Sequence, residues 1–84
     1  MTVSRADIDA IDDALLDLMA RRAALVAELW AGKTARGEPL HDVSREAAVI
    51  ERLRHRAEAM HLDADAVEAT FRTLLGRVPR RPAG

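Results

Sequence analysis

The residues of this chain best suited to chemistry are cations that stand where leucines are expected. From Ile8, apolar residues return at Ile11, Leu15, Leu18, Leu25 and Leu29 in alternating steps of three and four. That is the spacing of a helix seam, and Arg22 falls on it. One further step each way meets Arg5 and Lys33. An unpaired charge on the buried side of a helix costs several kcal/mol, so three cations on this stripe need anions, and the stripe itself carries few. A small dianionic ligand fits the pattern better than an ordinary core. A second group, Asp42-Val-Ser-Arg45-Glu46, lies downstream. Asp42 and Glu46 are four apart and share a helix face. Glu46 also lies one turn before Val49 and Ile50, which points its carboxyl toward the apolar side, while Arg45 is rotated by about 100°. Converging with Arg5, Arg22 and Lys33, this group suits a polar dianion that also carries a hydroxyl.

Each of these residues has a plain structural role as well. Arg22 beside Arg21 reads equally as a snorkelling pair at a helix edge, and Asp42 as a helix N-cap. Arg45 and Glu46 read as a solvated surface pair, and Lys33 beside Gly32 as a complement to a helix C-terminal dipole. His41, His55 and His61 lack a shared metal-ligand spacing and read as surface residues. The sequence contains no Gly-rich phosphate loop, nucleophile elbow or paired-carboxylate motif.

The elements that must position these groups are helices. Ser4-Arg-Ala-Asp7 has the form of an N-terminal capping box, and the Gly37 and Pro39 signals end a first helix expected over Ser4 to Arg36. A second helix is expected from Asp42 or Ser44, with Val49, Ile50 and Leu53 on its apolar face, fraying near Met60 to Leu62. Asp63 can cap a third carrying Val67, Phe71, Leu74 and Leu75. Pro79 and Pro82 forbid continuation. A helical domain over residues 1–78 followed by a basic tail at 79–84 is the expected organisation. The fold class is therefore all-α: three helices, the first much the longest.

Composition sets further bounds. The chain has 84 residues, near the size at which one core is only marginally sufficient. It is 49% hydrophobic but 2% aromatic, so the interior must come from Leu, Ile, Val, Ala and Met, a diet that favours helices. With no cysteine, no disulfide framework or thiolate metal site supplements it. No apolar run approaches the roughly 20 residues that span a bilayer, and an N-terminus with Arg5, Asp7 and Asp9 does not read as a signal peptide. The expectation is a cytoplasmic chain without a membrane partner. A net charge of −1 gives no global attraction to nucleic acid. Length then decides the assembly. About 30 helical residues make a rod of about 45 Å, against a radius of gyration of about 12 Å for a compact chain of this size. Two shorter helices cannot cover that seam, so an intertwined homodimer through the first helix is expected.

In order along the chain stand Arg5, then Ile8-Asp9-x-Ile11-Asp12-x-x-Leu15-Leu16-x-Leu18, then Arg22, Lys33 and Asp42-x-x-Arg45-Glu46. This order resembles the all-helical, AroQ-type chorismate mutases over about Ser4 to Leu75. The resemblance implies an intertwined dimer of three-helix chains, and an isomerase that converts chorismate to prephenate on the route to phenylalanine and tyrosine. The reaction is a Claisen rearrangement needing no cofactor, metal or covalent intermediate. By match to the family motif, Arg22, Arg45 and Arg5 of the partner subunit would hold the two carboxylates, for which the guanidinium fork is suited. Lys33 would donate to the ether oxygen as charge grows there. Glu46 would accept from the ring hydroxyl, with Asp42 nearby, and Leu29, Val49 and Ile50 would supply apolar walls.

The sequence departs from the family at its C-terminus. Val78 and Pro82 occupy the substrate-facing positions where the family carries a serine and a glutamine, and neither donates a side-chain hydrogen bond. Loss of one such donor implies a deficit of about 2.7–4 kcal/mol at the transition state. Three accounts stay open: a weak mutase stimulated by the first-step aldol synthase of the same pathway, docking through Arg77, Arg80 and Arg81; a disordered tail; or a changed substrate, either an amino-chorismate or isochorismate, the latter implying a pyruvate lyase. A non-catalytic helical dimerisation module is the alternative of a different class. Trp30 is also unusual for the family, which carries a small residue there; it would fill the dimer seam or narrow the pocket.

Overall fold

The computed structural model describes residues 2–39 and 42–75. Three helices follow in order: α1 at Arg5–Ala35, α2 at Val43–Ala59 and α3 at Ala64–Leu75. The described residues fall into two units, α1 with its flanks in one and the α2–α3 hairpin in the other. The expected tail, with Val78, Pro79 and Pro82, lies outside the described residues.

The first unit is a single rod of 31 residues, about 46 Å long. It begins at the Ser4–Asp7 capping box, where the Asp7 carboxylate accepts from the Ser4 backbone N–H at 2.9 Å and from its hydroxyl at 3.3 Å. The rod ends in a Schellman turn. Gly37 N–H donates to the Thr34 carbonyl at 3.1 Å and Glu38 N–H to that of Lys33 at 2.8 Å, the two bonds that close a helix through a left-handed residue. Gly37 takes that conformation at φ 72°.

No α1 residue is fully buried. Ile11, Leu18 and Leu25, the centre of the expected seam, are 62%, 57% and 62% exposed in the single chain. The expectation of a buried stripe is thus not met within one copy. A stripe that runs along a rod of about 46 Å needs a neighbour of similar length to be covered.

The second unit is a helical hairpin. Asp42 caps α2, its carboxylate accepting from Arg45 N–H at 3.0 Å. Asp63 caps α3, accepting from the Asp65 and Ala66 amides at 3.0 and 3.1 Å. α2 packs along α3. Ile50 and Ala57 are buried, with Leu53 on the same face and Val67, Phe71, Leu74 and Leu75 partly covered on α3, the three-and-four spacing of packed helices.

An ion network joins the two helices at their edge. Arg54 Nη1 donates to Asp65 Oδ1 at 2.9 Å and to Glu68 Oε1 at 2.8 Å, and Arg72 Nε reaches the other Glu68 oxygen at 2.7 Å. Hydrogen bonds from Arg72 and then Arg54 lower the Glu68 pKa, and bonds to Asp65 and Glu68 raise that of Arg54.

Between α2 and α3 the chain makes a second Schellman turn, with His61 N–H on the Glu58 carbonyl at 3.1 Å and Leu62 N–H on that of Ala57 at 2.8 Å. Here the left-handed position is filled by His61 at φ 58°, where a Cβ carries a steric cost that glycine avoids.

His61→Gly is expected to raise stability by about 0.5–1 kcal/mol and Gly37→Ala to lower it by about 1–2 kcal/mol, read by urea unfolding at fixed chain concentration. A lowered folded pKa means that Glu68 stabilises the hairpin above the unfolded carboxylate value of 4.5 and ceases to do so as pH falls through the folded value. Glu68→Gln should therefore flatten the acid limb of stability against pH, and an unchanged limb would contradict the network's role.

Candidate active site

The cations singled out in the sequence are spread along α1. Arg5 is its first residue and is exposed; Arg22 is mid-helix and partly covered; Lys33 is in the last turn and partly covered. At about 1.5 Å per residue, Arg5 lies about 25 Å from Arg22 and about 42 Å from Lys33 along the axis. No small dianion spans that. Arg22 and Lys33 are three turns apart, about 16 Å along the axis and about 20° apart around it, so both face the same side.

The partly covered side chains of α1 are Arg22, Val26, Trp30 and Lys33, and every other α1 side chain is exposed. The four run in steps of four, four and three, a stripe about 80° wide along the helix. Leu29, expected as an apolar wall, is 54% exposed. Val26 and Trp30 are set one position on from the Leu25–Leu29 stripe. They belong to a second seam, Leu16, Met19, Ala23, Val26, Trp30 and Lys33, whose steps also alternate three and four. The signal for it was present in the sequence, in the same spacing read one residue later.

On α2, the side chain of Asp42 is committed to the cap, so the N-cap role is real. Arg45, whose amide that cap binds, is exposed. Glu46 follows on the first turn, its amide bonded to the Asp42 carbonyl at 3.0 Å, and its side chain is partly covered. Val49 is partly covered, whereas Ile50 is 5% exposed and so belongs to the core. Val78 lies outside the described residues. Of the histidines, His55 is exposed and pairs with Glu51 at 3.0 Å, and His61 is the exposed turn residue. Among the described residues no group of three or more His, Asp or Glu side chains is arranged to hold a metal, and no helix is long and apolar enough to cross a membrane.

The sequence matches the family described as chorismate mutase type II over residues 4–78. The chain belongs to that family. Among curated relatives of this mutase family chain, the T-protein of Enterobacter agglomerans is 39% identical over 75 residues, covering 89% of the chain and 20% of that protein. The bifunctional chorismate mutase/prephenate dehydratase of Escherichia coli (strain K12) is 35% identical over 71 residues, 84% of the chain and 18% of that protein. The T-protein of Haemophilus influenzae is 32% identical over 71 residues, 84% of the chain and 19% of that protein. The chain thus spans about a fifth of the length of these relatives. The three-helix, strand-free architecture of the described residues is that expected from the resemblance of its motifs to the all-helical mutases.

The line on α1 also bears on the roles of its cations. If Arg22 and Lys33 hold one dianion on that face, charge removal at either position should weaken dianion binding while charge removal at Arg21, which is exposed, should not. Calorimetric titration of a bicyclic dicarboxylate mimic against Arg22→Ala, Lys33→Ala and Arg21→Ala is expected to give at least about a tenfold weakening for the first two only.

Proposed function

We propose that the chain is a chorismate mutase, rearranging chorismate to prephenate in aromatic amino acid biosynthesis. The observation that carries this reading is the family match over residues 4–78 together with the placement of Arg22 and Lys33 on one partly covered line of α1. In the rearrangement one C–O ether bond breaks as one C–C bond forms within a single molecule, and no proton, electron or group is exchanged with the protein. The protein's contribution is then to confine a flexible dianion to its compact reactive shape and to stabilise negative charge on the departing ether oxygen.

In this reading Arg22 and Arg45 grip the carboxylates and Lys33 donates to the ether oxygen. Glu46 accepts from the ring hydroxyl, Asp42 fixes the first turn that carries Arg45 and Glu46, and Leu29, Val49, Ile50 and Val78 bound the apolar part. No cofactor or metal enters the reaction.

Arg5 belongs to the same site only if it comes from another copy, because the length of α1 carries it beyond reach of its own chain's Arg22. This supports a homodimer joined through α1, as does the exposure of Ile8, Ile11, Leu15, Leu18 and Leu25 in the single chain. An apolar surface of that extent is ordinarily covered by a partner. The cytoplasm is the compartment that goes with this reading.

The test is the decay of chorismate absorbance with purified chain, alone and with the first-step aldol synthase of the pathway. Turnover is expected in at least one arm, and Lys33→Ala or Arg22→Ala should reduce it by about a hundredfold or more without dissolving the dimer. Salicylate and pyruvate from isochorismate, or no turnover of chorismate in either arm, would overturn the reading.

A further inference from the structure

Trp30 has no part in the reaction as set out above, yet it is one of the four partly covered side chains of α1. It is the chain's single tryptophan, in a sequence without tyrosine, and it is partly covered while Leu25 and Leu29 beside it are 62% and 54% exposed. It precedes Lys33 by one turn and follows Val26 by another, set about 60° around the helix from Lys33. A dianion gripped by Arg22, with its ether oxygen at Lys33, lays its uncharged ring over the side chains between them. Those are Val26 and Leu29, about 40° and 20° around the helix from Arg22, with Trp30 flanking Val26 at about 80°. Trp30 is the largest of the three, a rigid, flat indole with two side-chain torsions, able to limit the room left for the ring on its side at small entropic cost.

We propose that Trp30 is a specificity-determining wall of the α1 site, limiting the bulk that a cyclic dicarboxylate ether can carry on its ring. The proposal rests on the chorismate reading. It concerns positioning and selectivity: Lys33 remains the donor to the ether oxygen, and the reaction requires no proton transfer.

The lone tryptophan makes the test direct. Emission of the whole chain is followed while the bicyclic dicarboxylate mimic is titrated in, with calorimetry on the same sample, and kcat/KM is compared for chorismate and for chorismate methylated on its ring hydroxyl. A saturable change in emission at the calorimetric midpoint is expected. Trp30→Ala should lower the preference for chorismate over the methyl ether by at least about tenfold, the scale of one carbon in an apolar pocket. Trp30→Phe, which keeps most of the volume and covers the case in which the alanine variant fails to fold, should retain most of that preference.

An indole with a purely structural role would lower the unfolding temperature when removed and leave the preference where it was. Binding by calorimetry with no change in emission, or an unchanged preference in Trp30→Ala, overturns the proposal alone. No binding and no turnover by the wild-type chain overturns the chorismate reading and the proposal together.

Discussion

Charge on an apolar helix face must be answered by charge. Arg22 lies in the middle of a stripe otherwise built from Ile and Leu, and once such a stripe is covered a guanidinium on it forfeits hydration that an aliphatic neighbour cannot replace. The structure places Arg22 and Lys33 on one line of α1 and leaves both partly covered. By contrast, Arg54, the partly covered arginine of the hairpin, has Asp65 and Glu68 within 2.9 Å. One arginine is answered by carboxylates of its own chain and serves the hairpin. The other stands on a rod where its neighbours one turn away are Leu18, Met19, Leu25 and Val26, a setting suited to an anion that arrives from solution.

The rod's length governs the rest. A helix of 31 residues holds Arg5 too far from Lys33 for both to serve one ligand in one copy, and it exposes the apolar residues of the Ile8–Leu29 seam. Both facts favour a second chain for the same reason: apolar area and cationic ends outrun what 84 residues can fold back to meet. The hairpin, in turn, presents Asp42, Arg45 and Glu46 from one capped helix start, so the residues suited to a hydroxyl and a carboxylate come as one rigid turn.

Helix limits were legible because they are set locally. Ser4, Asp42 and Asp63 each read as a cap from type and spacing, and each begins its helix within a residue of the expected place. Gly37 read as a stop and is one. His61 did not read as a left-handed residue, since glycine and asparagine are the usual signals for that position and neither stands near it in the sequence. The Arg54–Glu68–Arg72 network was equally hidden: its members are 14 and 4 residues apart, and only the antiparallel packing of α2 on α3 brings the first pair together.

For the candidate site, Arg22 and Lys33 were found by a period-breaking charge, whereas Val26 and Trp30 lie on a second seam with the same spacing, and partial burial is what sets that seam apart. Ile50, read as a wall, is first a core residue. The Val78 and Pro82 departures, outside the described residues, keep their interest as differences of sequence.

The most direct measurement is the unfolding free energy of Arg22→Leu beside its affinity for the bicyclic dicarboxylate mimic. A leucine completes the seam, so a cation retained for an anionic ligand should leave behind a more stable chain that no longer binds the mimic. A variant that is less stable than the original, or one that binds the mimic as before, would show that the guanidinium belongs to the framework and not to a ligand.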